Sequence, residues 1–285
     1  MDRKIVAVHD GVFHADDVFA VASLKRIFAV EIVRTRDPEK LKRAEMCVDV
    51  GGGTFDHHMP SGAGARGNGV PYAAFGLVWR EFGERICESW RVAAMVDKRL
   101  IQPVDSGDTG FAMKQANGDS VYNVSNVISR MNPEWYEEPQ DFDATFAKAV
   151  EFAGVILDRE ISHYRGMLLA DAEVEATIAA TEDKRLIVLK RFCPWFRCVA
   201  RQTESLYVLF PDTIGGGWRM QCVPKDLNSR DKRRPMPTAW AGKNGDEFAR
   251  LTGVDDATFC HPARFIAGAR SKEGILALAK LALAD

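Results

Sequence analysis

Four of the chain's six histidines fall within its first 58 residues, and each lies next to an aspartate or one residue removed from one: His9-Asp10, His14-Ala15-Asp16 and Asp56-His57-His58. Imidazole with carboxylate is the ligand set of a divalent cation of intermediate hardness, such as Mn²⁺, Zn²⁺ or Fe²⁺. So many ligand-type side chains in so short a span point to more than one ion. The same cluster restricts the fold, because each group follows a strand-like run. Lys4–His9 (KIVAVH) is short, apolar and partly β-branched, as a buried central strand is. It ends at His9, and Asp10-Gly11 is a turn signal. From Asp16 or Asp17 onward Val18, Val21, Ala22 and Leu24 recur at helical spacing, with the aspartates placed to cap the start. His9, His14 and Asp16 therefore lie on a strand-to-helix loop.

Val30–Arg34 reads as a second strand, Pro38–Arg43 as a short helix and Met46–Val50 as a third strand ending near Asp49. Gly51-Gly52-Gly53 and Phe55-Asp56-His57-His58 follow. Strands alternating with helices imply a parallel sheet, and in such sheets the site lies outside the carboxyl ends of the strands. His9 and Asp49 stand at or near two such ends. Asp49 is the expected carboxylate shared between two ions. Two ions about 3.5–4 Å apart clamp the attacking and leaving oxygens of a phosphoryl displacement and acidify a water between them.

Further along, residues 72–90 and 91–101 read as helices, and Gln102–Asp108 as a loop carrying Asp105 and Asp108. The glycine-rich Ser61–Gly69 is either a lid or a plain surface loop. From Phe142 to Thr181 the pattern is helical and free of proline, a connector between domains. Strands then follow at 185–190, 206–210, 218–223 and 264–267, with a closing helix at 272–284. The expected fold is α/β: a parallel-sheet metal-binding domain over 1–140, a connector helix over 141–182 and a smaller α/β substrate domain over 183–285.

No apolar run approaches the ~20 residues that span a bilayer, and MDRKIVAVHD starts a strand at once, without a signal peptide. The expected location is cytoplasmic. The six cysteines show no CxxC spacing and are expected to be reduced. The net charge of −2 divides unevenly, since residues 183–285 carry 18 Lys/Arg against 11 Asp/Glu and the rest of the chain is acidic. The halves are either two solvated surfaces or an acidic half that holds cations and a basic half that holds a polyanion. Arg34 and Arg36 follow the second strand, where a guanidinium serves either a substrate phosphate or a surface ion pair. Two other histidine chemistries are excluded. Zinc nucleobase deaminases need H-x-E and P-C-x-x-C, which the chain lacks, and the all-helical metal phosphohydrolases conflict with the strands.

HDGVFHADD (9–17), VRTRDPEKL (33–41), CVDVGG, FDHH, PVDSGD and RFIAGARSKEG together resemble the melanocyte-proliferating-gene-one exonuclease family of the DHH phosphoesterases, relatives of the RecJ nucleases and family II inorganic pyrophosphatases. The resemblance runs from about residue 4 to the end. It implies a phosphodiesterase dependent on two Mn²⁺ (or Mg²⁺) ions per chain, with a DHH-type metal domain and a C-terminal substrate domain. Carried over by motif, it implies metal ligands at His9, His14, Asp16, Asp49, His57 and Asp105, with His58 facing the phosphate. The family's C-terminal glycine motif reads Ala267-Gly268-Ala269-Arg270 here. Its usual histidine is absent, and Arg270 offers a guanidinium fork to phosphate oxygens. The implied catalytic set is His58, Asp105 and Arg270, acting on a nucleic-acid 3′ end or short oligonucleotide, with RNA favoured by the resemblance. A pyrophosphatase or dinucleotide phosphatase, and an inactive metal-binding regulatory protein, are the alternatives. Homo-oligomerisation stays open.

Overall fold

The computed structural model describes residues 2–59, 62–111 and 121–285. The chain forms two compact units, Met1–Arg165 and Gly166–Asp285. Together they make a mixed α/β protein.

The first unit opens with β1 (Arg3–Val8), α1 (Ala15–Leu24), β2 (Ala29–Arg34), α2 (Pro38–Leu41) and β3 (Met46–Val48). The strands form a parallel sheet in the order β2-β1-β3, with Val8 level with Arg34 on one side and Val48 on the other. The central β1 buries Val6, Ala7 and Val8 completely, which explains its unbroken apolar run. Every residue of α1 is buried, because α3 (Ala74–Cys87), α5 (Gln102–Asp108) and α6 (Val124–Ser129) all pack on it, as does β3. A helix enclosed on all sides carries no polar stripe. Between them α4 (Trp90–Val96) runs through a π-helical turn (Asp97–Ile101) directly into α5. Gln102–Asp108, expected as a loop, is thus helical, with Pro103 in the first turn of α5.

The glycine-rich stretch begins at Ser61, which lies outside the described residues. Its remainder is pinned rather than free-standing: Arg66 forms ion pairs with Asp97 at 2.7 Å and Asp105 at 2.8 Å.

The long α7 (Phe142–Ala180) has the extent the sequence implies, and the boundary between the units falls within it, at Arg165/Gly166. The second unit continues with β4 (Leu186–Val188), α8 (Phe196–Val199), β5 (Tyr207–Pro211), β6 (Trp218–Cys222), α9 (Gly245–Thr252), β7 (Ala257–Cys260), β8 (Ile266–Ala269) and α10 (Lys272–Ala284). Its sheet is mixed, in the order β4-β5-β6-β8-β7, parallel only between β4 and β5. Alternation along β5 sorts its two faces. Tyr207 and Leu209 join the core under α9 and α10, while Val208 and Phe210 pack with Ala170, Val174 and Ile178 of α7. All six cysteines are free thiols. No described helix is long and apolar enough to cross a membrane.

Candidate metal centre

The carboxyl ends of β1 and β3 bring the first ligands together. His9 follows β1 and is 5% exposed; Asp49 follows β3 and is 4% exposed. Asp49 has a φ of +57°, a left-handed conformation that aspartate tolerates better than most residues. Its N–H donates to Phe55 O at 3.0 Å, closing the glycine turn so that Asp56, His57 and His58 come back beside it. The Asp49 carboxylate then stands between two imidazoles. His9 Nε2 is 3.3 Å from Oδ2, and His57 Nδ1 is 3.0 Å from Oδ1. His57 Nε2 reaches Asp108 Oδ2 at 2.9 Å, and its Nδ1 lies 3.8 Å from Asp16 Oδ2.

Three overlapping groups could each hold a cation: His9–His14–Asp49, His14–Asp16–Asp108 and Asp49–Asp56–His57–His58. They border a cleft of about 590 Å³ lined by His9, His14, Arg36, Asp49, Asp56 and His58, among others.

The electrostatics favour a cation here. Asp16 and Asp17 are fully buried. Burial, and then the neighbouring carboxylates of Asp49, Asp108 and Asp17, push the Asp16 carboxyl well above its usual range. Burial also acts to raise Asp49, but the close imidazoles of His57 and His9 outweigh it and hold the group down at about 2. Burial works against charge on both imidazoles, yet the surrounding carboxylates win, raising His9 and His57 to about 10. Protons on these rings stand in for positive charge that the carboxylates demand. Asp16 Oδ1, Asp17 Oδ2, Asp49 Oδ1 and His57 Nδ1 are moreover buried without a hydrogen bond of good geometry. Such orphaned atoms facing one another are what a bound metal ion would satisfy.

Several neighbours orient these ligands, as outer partners do at metal sites. Asp17 accepts the His14 N–H at 3.1 Å and lies 3.1 Å from His9 Nε2. Asp56 accepts from Gly52 N at 2.7 Å and His58 N at 3.0 Å, with His58 Nδ1 also 3.0 Å away. The sequence reading counts Asp56 in the ligand cluster and Asp17 as a helix cap, and gives neither an orienting role. An aspartate three residues into a helix is a capping signal, and Asp17 carries it.

Asp105 and Arg34 are turned away from this cluster. Asp105, placed among the ligands by motif, is fully buried against Arg66 and accepts the Gly76 N–H at 3.0 Å. Burial raises its carboxyl to about 7 in spite of Arg66. The carboxylate that meets His57 belongs to Asp108, one turn further along α5. Arg34 is 2% exposed, donates to Gly11 O at 2.6 Å and stacks over the rings of Phe13 and Phe146. It braces the His9–His14 loop instead of facing a substrate. Arg36 is 60% exposed, lines the cleft and pairs with Asp10. Arg270 belongs to the second unit, where its exposed guanidinium donates to Asp255 O at 3.3 Å. In the second unit three cations are consecutive, Lys232, Arg233 and Arg234; Arg233 donates to Ser205 O at 3.0 Å and Ala200 O at 2.7 Å, and Arg234 to Leu283 O at 3.3 Å, so these two brace the backbone.

Comparison with known proteins matches residues 5–283 to the uncharacterised protein family UPF0160, whose model is called MYG1_exonuc. The chain is 30% identical to the MYG1 exonuclease of Homo sapiens, over 98% of this chain and 86% of that protein. It is also 30% identical to a MYG1 protein of Saccharomyces cerevisiae, over 99% of this chain and 96% of the relative. A MYG1 protein of Dictyostelium discoideum is 27% identical over 98% and 96% of the two lengths. No solved structure matches the chain.

Proposed function

This chain belongs to the MYG1_exonuc family (UPF0160), and from that membership we propose that it is a divalent-cation-dependent phosphodiesterase removing nucleotides from the 3′ end of nucleic acid, RNA in preference. The observation that carries this reading is the convergence of imidazoles and carboxylates from four chain segments around Asp49, at the edge of a cleft. His9, His14 and Asp49 would hold one ion; Asp16, His57 and Asp108, again with Asp49, would hold a second. Mn²⁺ suits this mixed imidazole–carboxylate set better than Mg²⁺, which prefers oxygen alone. When bound, such a pair lends Lewis-acid charge to the phosphate oxygens and makes an attacking water more acidic.

The chain's own residues then bind and orient. His58, 63% exposed at the cleft with Nδ1 turned to Asp56, presents Nε2 to a substrate phosphate. Arg36 adds a cation on the same cleft. Arg270, exposed on its own unit, offers a guanidinium to a second phosphate. The +7 balance of residues 183–285 suits an extended polyanion rather than a small, doubly charged substrate.

A substrate panel tests the proposal. Labelled single-stranded RNA and DNA oligonucleotides and inorganic pyrophosphate are each incubated with the Mn²⁺-loaded protein. The expected result is stepwise shortening of the oligonucleotides from the 3′ end, RNA faster than DNA, with pyrophosphate intact. Turnover of pyrophosphate while every oligonucleotide stays intact would replace the nuclease by a small-substrate phosphatase.

A further inference from the structure

The loop between β1 and α1 supplies His9 and His14, yet little of its own structure holds it in place. Asp10, Gly11 and Val12 are exposed, and Gly11 takes a φ of +77°. The backbone of this loop must be fixed from outside. Arg34 and Arg36 hold its first half, donating to Gly11 O and Asp10 O, each at 2.6 Å; the contact that fixes its second half comes from 119 residues away. The Asn132 Oδ1 accepts the Phe13 N–H at 3.0 Å, and Asn132 Nδ2 donates to Phe13 O at 2.9 Å. A carboxamide paired with both polar groups of one residue fixes the peptide planes on either side of it. The second of those planes leads directly into His14, whose N–H is taken by Asp17.

The rest of the arrangement makes this contact stiff. The Phe13 ring is fully buried and meets the Phe146 ring edge-on, with centroids 5.5 Å apart. Asn132 also donates from Nδ2 to Ser129 O at 3.2 Å, so its amide is seated on the end of α6. The same helix lines a second hollow of about 210 Å³ with Ser125, Asn126 and Ser129, opposite His14 and Asp108.

We propose that Asn132 is a positioning residue of the metal centre: by pairing with both backbone groups of Phe13 it aims His14, and so sets the affinity of the His9–His14–Asp49 group for a divalent cation. The inference rests on the functional reading above only in taking that group to be a cation site. Only a carboxamide can make both bonds. Aspartate keeps the acceptor for Phe13 N–H but turns a second oxygen on the Phe13 carbonyl, where two acceptors repel.

The test is a titration of the metal-stripped full chain with Mn²⁺ alone, with the His14 ring followed by NMR using diamagnetic Zn²⁺ as the probe. Asn132→Asp is compared with Asn123→Ala. Asn123 caps α6 through its Oδ1, which accepts from Ser125 N at 2.9 Å and Asn126 N at 3.3 Å, and it does not touch the ligand loop. Asn132→Asp is expected to weaken Mn²⁺ binding about 10- to 100-fold, the usual effect of removing an outer partner of a ligand. Its His14 ring signal should shift less on adding metal, while the metal-free unfolding midpoint stays near that of the wild type. Asn123→Ala should lower that midpoint and leave Mn²⁺ affinity close to wild type. The proposal is overturned if Asn132→Asp binds Mn²⁺ as the wild type does, or if both variants lose affinity in step with stability. A wild type that takes up no cation removes the functional reading first and this inference with it.

Discussion

Asp49→Ala will weaken cation uptake at this centre by more than about 100-fold and reduce phosphodiester hydrolysis more than any other single change. Asp49 is the carboxylate within reach of both His9 and His57, at 3.3 and 3.0 Å. It belongs to two of the three groups that could hold a cation. Removing an outer partner of a metal ligand costs roughly 10–100-fold in affinity or activity, and a ligand shared by two ions should cost more than about 100-fold. In the metal-free protein His57 and His9 hold the Asp49 carboxyl at about 2, below that of an unfolded aspartate, so at neutral pH it stabilises the fold and the metal-free variant should melt below the metal-free wild type. The gap should widen with metal present, since an ion that binds the folded state alone stabilises it by mass action. Calorimetry with Mn²⁺ and thermal melts with and without the ion check both halves. Wild-type Mn²⁺ affinity in the variant would remove Asp49 from the centre.

Gly76→Ala carries the second large effect, this time on the fold. A Cβ at Gly76 would sit 1.9 Å from Asp105 Oδ2 and 2.7 Å from Arg66 Nη2. Neither partner is a free side-chain end, because Asp105 is fully buried and Arg66 is also held by Asp97. The methyl group must break the Arg66–Asp105 pair or push α3 off α5. Breaking a buried pair by displacing one partner costs about 3–5 kcal/mol, much of the stability of an ordinary domain. Asp108 shares α5 with Asp105, so metal affinity should fall as well. Gly166→Ala is the control: nothing lies within 4 Å of its Cβ position, and alanine inside a helix is favoured over glycine by roughly 0.5–1 kcal/mol. Thermal unfolding of the two variants should therefore diverge in sign. Equal melting points would mean the Arg66–Asp105–Gly76 contact is not part of the fold's support.

How far the sequence discloses this centre depends on how local each signal is. His9 and Asp49 terminate apolar β-branched runs, so a strand pattern alone puts them at one sheet edge. The bounds of α7 and α10 are likewise readable, from long periodic stretches without proline. Asp105 and Asp108 differ in a way that no local pattern carries. They are three residues apart on one helix, and only the room left by Gly76 and the arrival of Arg66 from the glycine-rich loop turn one toward an ion pair and the other toward His57. A lone arginine in a glycine-rich stretch was the available clue, since a buried guanidinium needs a carboxylate. Gln102–Asp108 looked like a loop because Pro103 and Gly107 break helices in isolation; the π-helical turn before it supplies a continuous start. Arg34 follows a strand end as a substrate contact would, but Phe13 and Phe146 enclose it. Asn132 left no trace in its own neighbourhood, because its partner lies across the fold.

The most direct measurement is hydrolysis of a labelled single-stranded oligonucleotide by metal-stripped protein, with Mn²⁺ returned stepwise and the bound ion counted in the same samples. Turnover should be absent without metal, return as Mn²⁺ is added and saturate at two ions per chain. Hydrolysis undiminished in excess chelator, or two ions taken up with no phosphodiester cleaved, would contradict it.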